Sequence, residues 1–157
     1  MFAQGDEKEG DEIWVDCYLL DRLTEKYGYN IKYHPKPPGE TDWNGSGMHA
    51  NFSNEVLRTY GSQEVYEKIC EASRPSIKEN IAVYGAYNDL RLTDKYETAS
   101  IHDFSYGVFD RGCSITIPLM TVQKRWKGWL EVTRQASTGD PYKIADRVIK
   151  TVNCAFA

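Results

Sequence analysis

The sequence predicts an α+β domain in which helices pack on one face of a mainly antiparallel sheet of about five or six strands. Three patterns support this class. Apolar residues recur at helical spacing through residues 11–27, polar side chains alternate along 49–53, and an Asp-Pro pair at 140–141 opens a further helical pattern. The chain has 157 residues, which is enough for one domain with a sizeable core.

Composition and charge argue against several classes of protein. Hydrophobic residues make up 41% of the chain and charged residues 27%, as in globular domains, and the net charge of −4 argues against nucleic acid or an anionic membrane as partner. No apolar run approaches the roughly 18 residues of a membrane span, and the start MFAQGDEKEG lacks the apolar stretch of a signal peptide. We therefore expect a cytoplasmic protein. Scattered cysteines predict buried thiols rather than a zinc site or disulfides, at Cys17, Cys70, Cys113 and Cys154.

The first predicted helix covers Asp11–Tyr27, with Asp11 as its N-cap and Gly28 as the residue that ends it. Its apolar stripe is wide, so we expect this helix to be covered on much of its surface. Tyr29–His34 is predicted as a short strand, which the prolines at 35, 37 and 38 stop.

The most informative stretch is Asp42–Ser53, DWNGSGMHANFS. The small residues at 45–47 allow the backbone to pass close to a ligand. Alternation along the strand that follows points His49, Asn51 and Ser53 to one face. An imidazole, an amide and a hydroxyl on one face suit a small anionic substrate beside a metal. The alternative is a glycine-containing turn before an ordinary strand.

The remaining elements are mostly helical. Asn54–Ser62 is predicted as a break, Ser62–Ala72 as a short helix, and a second short helix begins near Ser76. Asp140 and Pro141 form an N-cap and N1 pair that opens the final helix. The residues expected to face inward from that helix are Tyr142, Ala145, Val148, Ile149 and Val152.

DWNGSGMHANFS resembles the signature of glutamine synthetases, especially of the eukaryotic-type class, in which a Lys-Pro segment leads into N-G-x-G-x-H-x-N-x-S. His34-Pro35-Lys36-Pro37 stands just upstream. Three later segments resemble the family in the same order: AVYGAYNDLRLTDKYETA, FSYGVFDRGCSITIP and WLEVTRQASTGDPY. The resemblance implies that the sheet is curved, with helices on its outer face. It also implies that residues 1–157 form a partial catalytic domain and that the family's N-terminal β-grasp domain is absent.

The resemblance implies roles for individual residues. By this match the metal ligands are His49 and Glu131, the substrate-binding residues are Asn44, Gly45 and Arg91, and the nucleotide-binding residues are Asn51, Ser53 and Arg111. Glu97 and Arg111 match catalytic residues, and Asp6 is a weaker candidate for a metal ligand. The implied cofactors are ATP and Mg²⁺ or Mn²⁺.

Several positions depart from the family pattern. Asp94 and Tyr96 replace a glycine and a histidine of the flap that closes over the family's site, and Thr116 and Thr133 replace arginines of that site. Arg134 matches the arginine beside Thr133 and is expected to point to the opposite face of the strand.

The departures leave three hypotheses open. The first is ATP-dependent ligation of ammonia to glutamate through γ-glutamyl phosphate, either impaired or dependent on a completing chain. The second is a catalytically inactive pseudoenzyme that binds nucleotide or metal, and the third is a structural partner of an authentic glutamine synthetase. The expected partners are glutamate, ammonia and ATP, together with a second copy of the chain or another glutamine synthetase subunit.

Overall fold

The computed structural model describes residues 7–39 and 42–156, so Asp6 lies outside the described residues. The helices in this part are α1 Lys8–Glu25, α2 Glu55–Thr59, α3 Gln63–Ser73, α4 Ile77–Val83, α5 Leu119–Gln123 and α6 Pro141–Asn153. Short 3₁₀ turns occupy Arg74–Ser76 and Asn88–Leu90. The strands are β1 Gly47–Phe52, β2 Tyr106–Val108, β3 Ile115–Ile117 and β4 Leu130–Ala136.

The strands form one mixed sheet in the order β1-β4-β3-β2. β4 pairs antiparallel with both β1 and β3, whereas β2 pairs parallel with β3. The predicted α+β class is confirmed. The expected five or six strands are wrong for the described residues, which contain four.

The predicted strand at Tyr29–His34 is not formed. Other contacts hold this segment instead of a strand ladder. The carbonyl of Tyr33 accepts a 2.6 Å hydrogen bond from Ser137 Oγ, and the carbonyl of Pro35, two residues further on, accepts one of 2.7 Å from the Ser46 amide. The alternating apolar residues of this segment therefore reflect packing against other parts of the chain rather than hydrogen-bonded pairing with a strand.

The core lies between one face of the sheet and the helices. The sheet contributes Ile115, Ile117, Leu130 and Val132, and the helices contribute Leu57, Tyr66, Ile69, Cys70, Ile144, Val148 and Val152. The cavity left between the two layers is small, about 30 Å³. Burial of these apolar side chains fixes which face of each strand is left for function.

Two helix caps determine how the chain turns after β1. The predicted break at 54–62 is wrong, because Asn54 Oδ1 accepts a 2.9 Å hydrogen bond from the Leu57 amide and so caps α2. Leu57 is fully buried, which anchors this short helix. Ser62 caps α3 in the same way through the Val65 amide, close to the predicted start of this helix.

The final helix begins as predicted, with Asp140 accepting a hydrogen bond of 3.0 Å from the Tyr142 amide and with Pro141 at the first position. Its inward face was predicted only in part. Tyr142 and Ile149 are exposed, and the buried residues are Pro141, Ile144, Val148, Thr151 and Val152. The ring of Tyr142 turns away from the sheet and contacts α1.

Helix α1 begins earlier than predicted, at Lys8, so Asp11 is not its N-cap. Asp11 instead accepts a hydrogen bond from the Tyr142 hydroxyl. Gly10 lies against the Tyr142 ring, where an added Cβ would come within 2.3 Å of a ring carbon. The helix ends at Glu25, and Gly28 has a φ of +72°, a conformation that suits glycine just past a helix end.

The expectation that α1 is covered is wrong. Its large apolar side chains are exposed, Tyr18 by 63% and Leu23 by 60%, together with Trp14, Val15, Leu19 and Leu20. Only Gly10 is buried in this helix. Helices in the described ranges are all too short or too polar to cross a bilayer. The exposed face of α1 is therefore an apolar surface in contact with water.

We expect the 157-residue chain to self-associate through α1, because burying this apolar face releases it from water. The double variant Tyr18→Lys/Leu23→Lys should sediment at a lower molecular mass than the wild-type chain at equal concentration. Tyr60→Lys is the matched control, since Tyr60 is 74% exposed and lies outside α1. A wild-type chain that stays monomeric at high concentration would contradict the expectation.

Candidate functional site

Pairing of β1 with β4 brings two predicted metal ligands together. Asn51 lies opposite Glu131 in the ladder, and His49 Nδ1 is 2.6 Å from Glu131 Oε1. The even positions of β1 pack toward the core, whereas Gly47, His49 and Asn51 are exposed. The predicted alternation of this strand is therefore present. We call the side of the sheet that carries His49, Asn51 and Glu131 the polar face.

The polar face continues across the sheet into β3. Thr116 lies opposite Glu131, so Asn51, Glu131 and Thr116 form one row over three strands. Glu131 is partly exposed, with 29% of its side chain accessible, and His49 is 49% accessible. Thr116 is only 6% exposed, because a loop covers it. The two ionisable side chains of the polar face, His49 and Glu131, are thus open to a ligand.

The donor chemistry of His49 and Glu131 fits a divalent cation. Imidazole nitrogen and carboxylate oxygen suit Mn²⁺, and carboxylate with water and phosphate oxygens suits Mg²⁺. Adjacent donors in an octahedral shell with bonds of about 2.1 Å lie about 3 Å apart, close to the separation of this pair. Within residues 7–39 and 42–156, no group of three or more His, Cys, Asp or Glu is placed to hold a metal. The described residues offer two candidate donors here, His49 and Glu131.

Ser53 lies just beyond β1 and is partly buried. Its hydroxyl donates a 2.7 Å hydrogen bond to the Gly128 carbonyl. The Ser53 oxygen can still accept a hydrogen bond from a ligand, but its own hydrogen is already donated to Gly128. Among the predicted nucleotide-binding residues of this strand, Asn51 is thus the one whose side chain is exposed beside Glu131.

Arg91 lies beneath the start of β1 and is 7% exposed. Its Nη2 donates a 3.0 Å hydrogen bond to the Thr133 carbonyl, and its buried Nη1 has no partner within the described part of the chain. Burial lowers the pKa of the guanidinium below its ordinary value, yet arginine stays charged at neutral pH. An unpaired buried cation of this kind favours an anionic partner.

Two glycines make room for Arg91. A Cβ at Gly47 would lie 2.6 Å from the guanidinium carbon, and one at Gly45 would lie 3.1 Å from Cγ of Arg91. Gly45 also has a φ of +88°, which L-residues rarely adopt. The glycines of the motif therefore serve a packing purpose that the sequence analysis did not identify.

The predicted substrate-binding Asn44 and the predicted catalytic Glu97 share an open cleft of about 350 Å³. Both are exposed. Asp94, Tyr96 and Glu97 have φ values of 60°, 55° and 59°, a strained conformation for residues other than glycine. Asp94, at the position where the resemblance has glycine, thus has a left-handed backbone.

Lys36 was not identified as important to this cleft. It is 5% exposed, donates a hydrogen bond to the Trp43 carbonyl, and lies 5.1 Å from the centre of the Tyr96 ring. It therefore connects the two walls of the cleft through a hydrogen bond and a cation–π contact. A lysine between two prolines just before the motif was the available sequence signal.

Arg111 lies on the loop between β2 and β3, which we call the 109–114 loop. Its side chain is exposed, and no hydrogen bond or ion pair links it to another described residue. The loop itself is fixed to the polar face. Thr116 Oγ1 donates to the Asp110 carbonyl at 2.6 Å, and Thr133 Oγ1 donates to the Cys113 carbonyl at 2.7 Å.

Arg134 points away from the polar face, as strand alternation predicted. Its guanidinium donates hydrogen bonds of 2.6 and 2.8 Å to the carbonyls of Ser100 and Ile101, and burial lowers its pKa to about 10. It also borders the small internal cavity beneath the sheet. Arg134 therefore does not take the place of an arginine at position 133.

The four cysteines are unpaired thiols. Cys70 and Cys113 are buried, and burial raises the pKa of both, that of Cys70 to about 12. Cys154 is exposed and Cys17 is partly so, which corrects the expectation of buried thiols at these two positions.

Comparison with known proteins shows close relatives. The chain is 52% identical over 153 residues to a glutamine synthetase of Bradyrhizobium diazoefficiens, covering 98% of this chain and 44% of that protein. It is 51% identical to a glutamine synthetase of Rhizobium meliloti (92% and 44%) and 47% identical to glutamine synthetase root isozyme A of Pisum sativum (90% and 39%). The chain thus spans about two fifths of the length of these relatives. No protein-family model matches the chain.

We expect Gly47→Ala to destabilise the fold by about 1–3 kcal/mol, the usual cost of overpacking a filled site. The new methyl group would lie within 2.7 Å of the Gln135 carbonyl as well as against Arg91. Urea unfolding measures the change. Gly112→Ala is the control, because its Cβ meets only Asp110 Oδ1, at 3.5 Å. Equal stability of both variants would show that Arg91 is not held against β1.

Proposed function

Because the chain belongs to the glutamine synthetase family, we propose that it provides part of a site for ATP-dependent ligation of ammonia to glutamate through γ-glutamyl phosphate. The observation that carries the proposal is the contact of His49 with Glu131 on the exposed polar face. We propose that the chain needs a second chain, or a further segment, to complete this site.

His49 and Glu131 are the proposed ligands of Mg²⁺ or Mn²⁺. A divalent ion beside phosphate oxygens neutralises charge during phosphoryl transfer. The two side chains come from adjacent strands whose register is set by the core, which keeps their backbones side by side. Two ligands leave most of the coordination shell to water and phosphate, which Mg²⁺ accepts.

The remaining residues surround this pair. Arg91 is the proposed partner of a glutamate carboxylate, with Asn44 and the backbone of Gly45 at the same end of β1. The unpaired Nη1 of Arg91 supports this role, although a carboxylate reaches that atom only after a neighbouring segment moves. Asn51, Ser53 and Arg111 are proposed to contact nucleotide.

Glu97 is the proposed acceptor of ammonium. It lines the open cleft with Asn44, so both reach the same volume. A carboxylate favours a cation there, and it accepts a proton when ammonium becomes the attacking ammonia. Asp94 keeps the left-handed backbone of the flap.

A second candidate function is binding of nucleotide and metal without turnover. Thr116 and Thr133 carry no charge, and their hydroxyls already donate to loop carbonyls. They therefore contribute no charge to a transferring phosphoryl group. The exposed face of α1 also supports a structural role in which the chain joins another glutamine synthetase subunit.

We expect Mn²⁺ and a non-hydrolysable ATP analogue each to strengthen binding of the other, because phosphate oxygens complete a shell that two protein ligands leave open. His49→Ala and Glu131→Ala should each reduce this mutual effect by about tenfold or more. Isothermal titration calorimetry of each ligand, with and without the other, measures it.

The matched control is His102→Ala, an exposed histidine outside the polar face. This substitution should leave the mutual effect unchanged. Independent binding of the two ligands, or insensitivity to both site substitutions, would contradict the proposed metal site and favour the structural role.

We expect the 157-residue chain alone to make no glutamine above background. One lost charge-assisted contact to a transition state costs roughly 10²–10³ in rate, and arginines are absent from positions 116 and 133. A coupled assay of ADP and glutamine with Mg²⁺ or Mn²⁺ tests this expectation. Clear turnover that disappears in His49→Ala would show instead that the chain is a complete enzyme.

A further inference from the structure

We infer that Thr116 and Thr133 position Arg111 by fixing the 109–114 loop to the polar face of the sheet. The two threonines stand where the resemblance places arginines, and sequence alone assigns them only a loss of charge. Their contacts assign them a positioning role. The part of this inference that concerns nucleotide rests on the proposed function.

Both threonine side chains serve the same loop. Thr116 Oγ1 is 2.6 Å from the Asp110 carbonyl oxygen, and Thr133 Oγ1 is 2.7 Å from the Cys113 carbonyl oxygen. Thr116 is on β3 and Thr133 is on β4, so the loop is held from two strands. The two accepting residues flank Arg111, one directly before it and one two positions after it.

Contacts within the loop restrict it further. Asp110 Oδ1 accepts a 2.9 Å hydrogen bond from the Gly112 amide, and Cys113 Sγ lies 3.0 Å from the Asp110 carbonyl oxygen. Phe109 has a φ of 53°, an unfavourable conformation that surrounding contacts must maintain. The backbone on both sides of Arg111 is therefore fixed while the side chain itself is exposed.

The fixed loop places Arg111 near the proposed metal ligands. Thr116 lies opposite Glu131 in the β3–β4 ladder, and the Asp110 carbonyl is bound to Thr116. The start of the loop thus sits over the row that contains Glu131. A guanidinium on that loop suits the phosphate oxygens of a nucleotide whose metal is held by His49 and Glu131.

Accessibility of Cys113 reports on the loop. Thr116 Oγ1 also lies 3.4 Å from the Cys113 Sγ, whereas Thr133 Oγ1 bonds the Cys113 backbone carbonyl, so Thr133→Val tests the loop without removing a contact of the thiol. Cys113 is 1% exposed and its backbone carbonyl is the acceptor for Thr133. In a Cys17→Ser/Cys154→Ser background, the thiols that remain are Cys70 and Cys113, both buried. We expect Thr116→Val and Thr133→Val each to raise the rate of Cys113 modification by an aromatic disulfide reagent about three- to tenfold, the effect of one hydrogen bond.

Two further variants control this measurement. Thr121→Val removes another buried hydroxyl, one bonded to the Trp129 carbonyl at 3.1 Å, and should leave the Cys113 rate unchanged. Thr133→Ser keeps a hydroxyl and should behave like the wild type. Circular dichroism checks folding, and the serine variant provides the comparison if a valine variant does not fold.

A double-mutant cycle tests the link to Arg111. Calorimetry with Mn²⁺ should show that Thr116→Val and Thr133→Val weaken ATP binding about three- to tenfold, and that neither matters once Arg111→Ala is present. Adenosine has no phosphates, so its affinity should be the same in all variants. If the threonines had only a structural role, their substitution would change the affinity for both ATP and adenosine, and this change would persist in the Arg111→Ala background.

The outcomes separate this inference from the proposed function. Suppose that the wild type binds ATP and that Arg111→Ala weakens this binding. If the threonine variants then have no effect on ATP affinity, or have equal effects with and without Arg111→Ala, the inference is wrong and the proposed function stands. An unchanged Cys113 rate in both valine variants also overturns it. If the wild type binds no ATP, both the proposed nucleotide site and the role of Arg111 in it are wrong.

Discussion

The antiparallel pairing of β1 with β4 is the constraint on which the rest of the structure depends. β4 is hydrogen-bonded on both sides, and its residues alternate between Leu130 and Val132 in the core and Glu131 on the polar face. A shift of register by one residue would bury the Glu131 carboxylate and expose its apolar neighbours, at a large cost in free energy. The hydrophobic core therefore sets the register, and the register sets the contact of Glu131 with His49.

An irregularity in this ladder gives neighbouring residues of β4 different surroundings. Ala50 lies opposite Val132 and Met48 opposite Gln135, so two residues, Thr133 and Arg134, face the single position of His49. This is a β-bulge. Thr133 reaches the 109–114 loop, whereas Arg134 binds carbonyls near Ser100 on the helix-covered side. Without the extra residue, the side chains of β4 beyond the bulge would point to the opposite faces of the sheet.

Features of the fold that depend on neighbouring residues could be predicted from the sequence. The predictions that failed concern contacts between residues far apart in the chain. The Asp140-Pro141 pair and Ser62 start helices through their own neighbouring amides, so a short stretch of sequence contains the needed information. Burial of α1 depends instead on whether another surface covers it. The faces of the site residues followed from alternation along β1, but the donation of Thr133 to Cys113 joins residues 20 positions apart, which no local pattern reveals.

The two threonines and the fixed loop require each other. Thr116 is 6% exposed, and the Asp110 carbonyl lies directly over its hydroxyl. A longer arginine side chain at this position would have to displace the loop or bury a guanidinium beneath it, and an unpaired buried charge is costly. Because both threonines donate to the same loop, positions 116 and 133 are coupled through that loop. The cations of the proposed substrate and nucleotide sites are Arg91, which is buried under β1, and Arg111, which is exposed on the loop. In the proposed nucleotide site, electrostatic stabilisation therefore depends mainly on how firmly the loop holds the exposed Arg111.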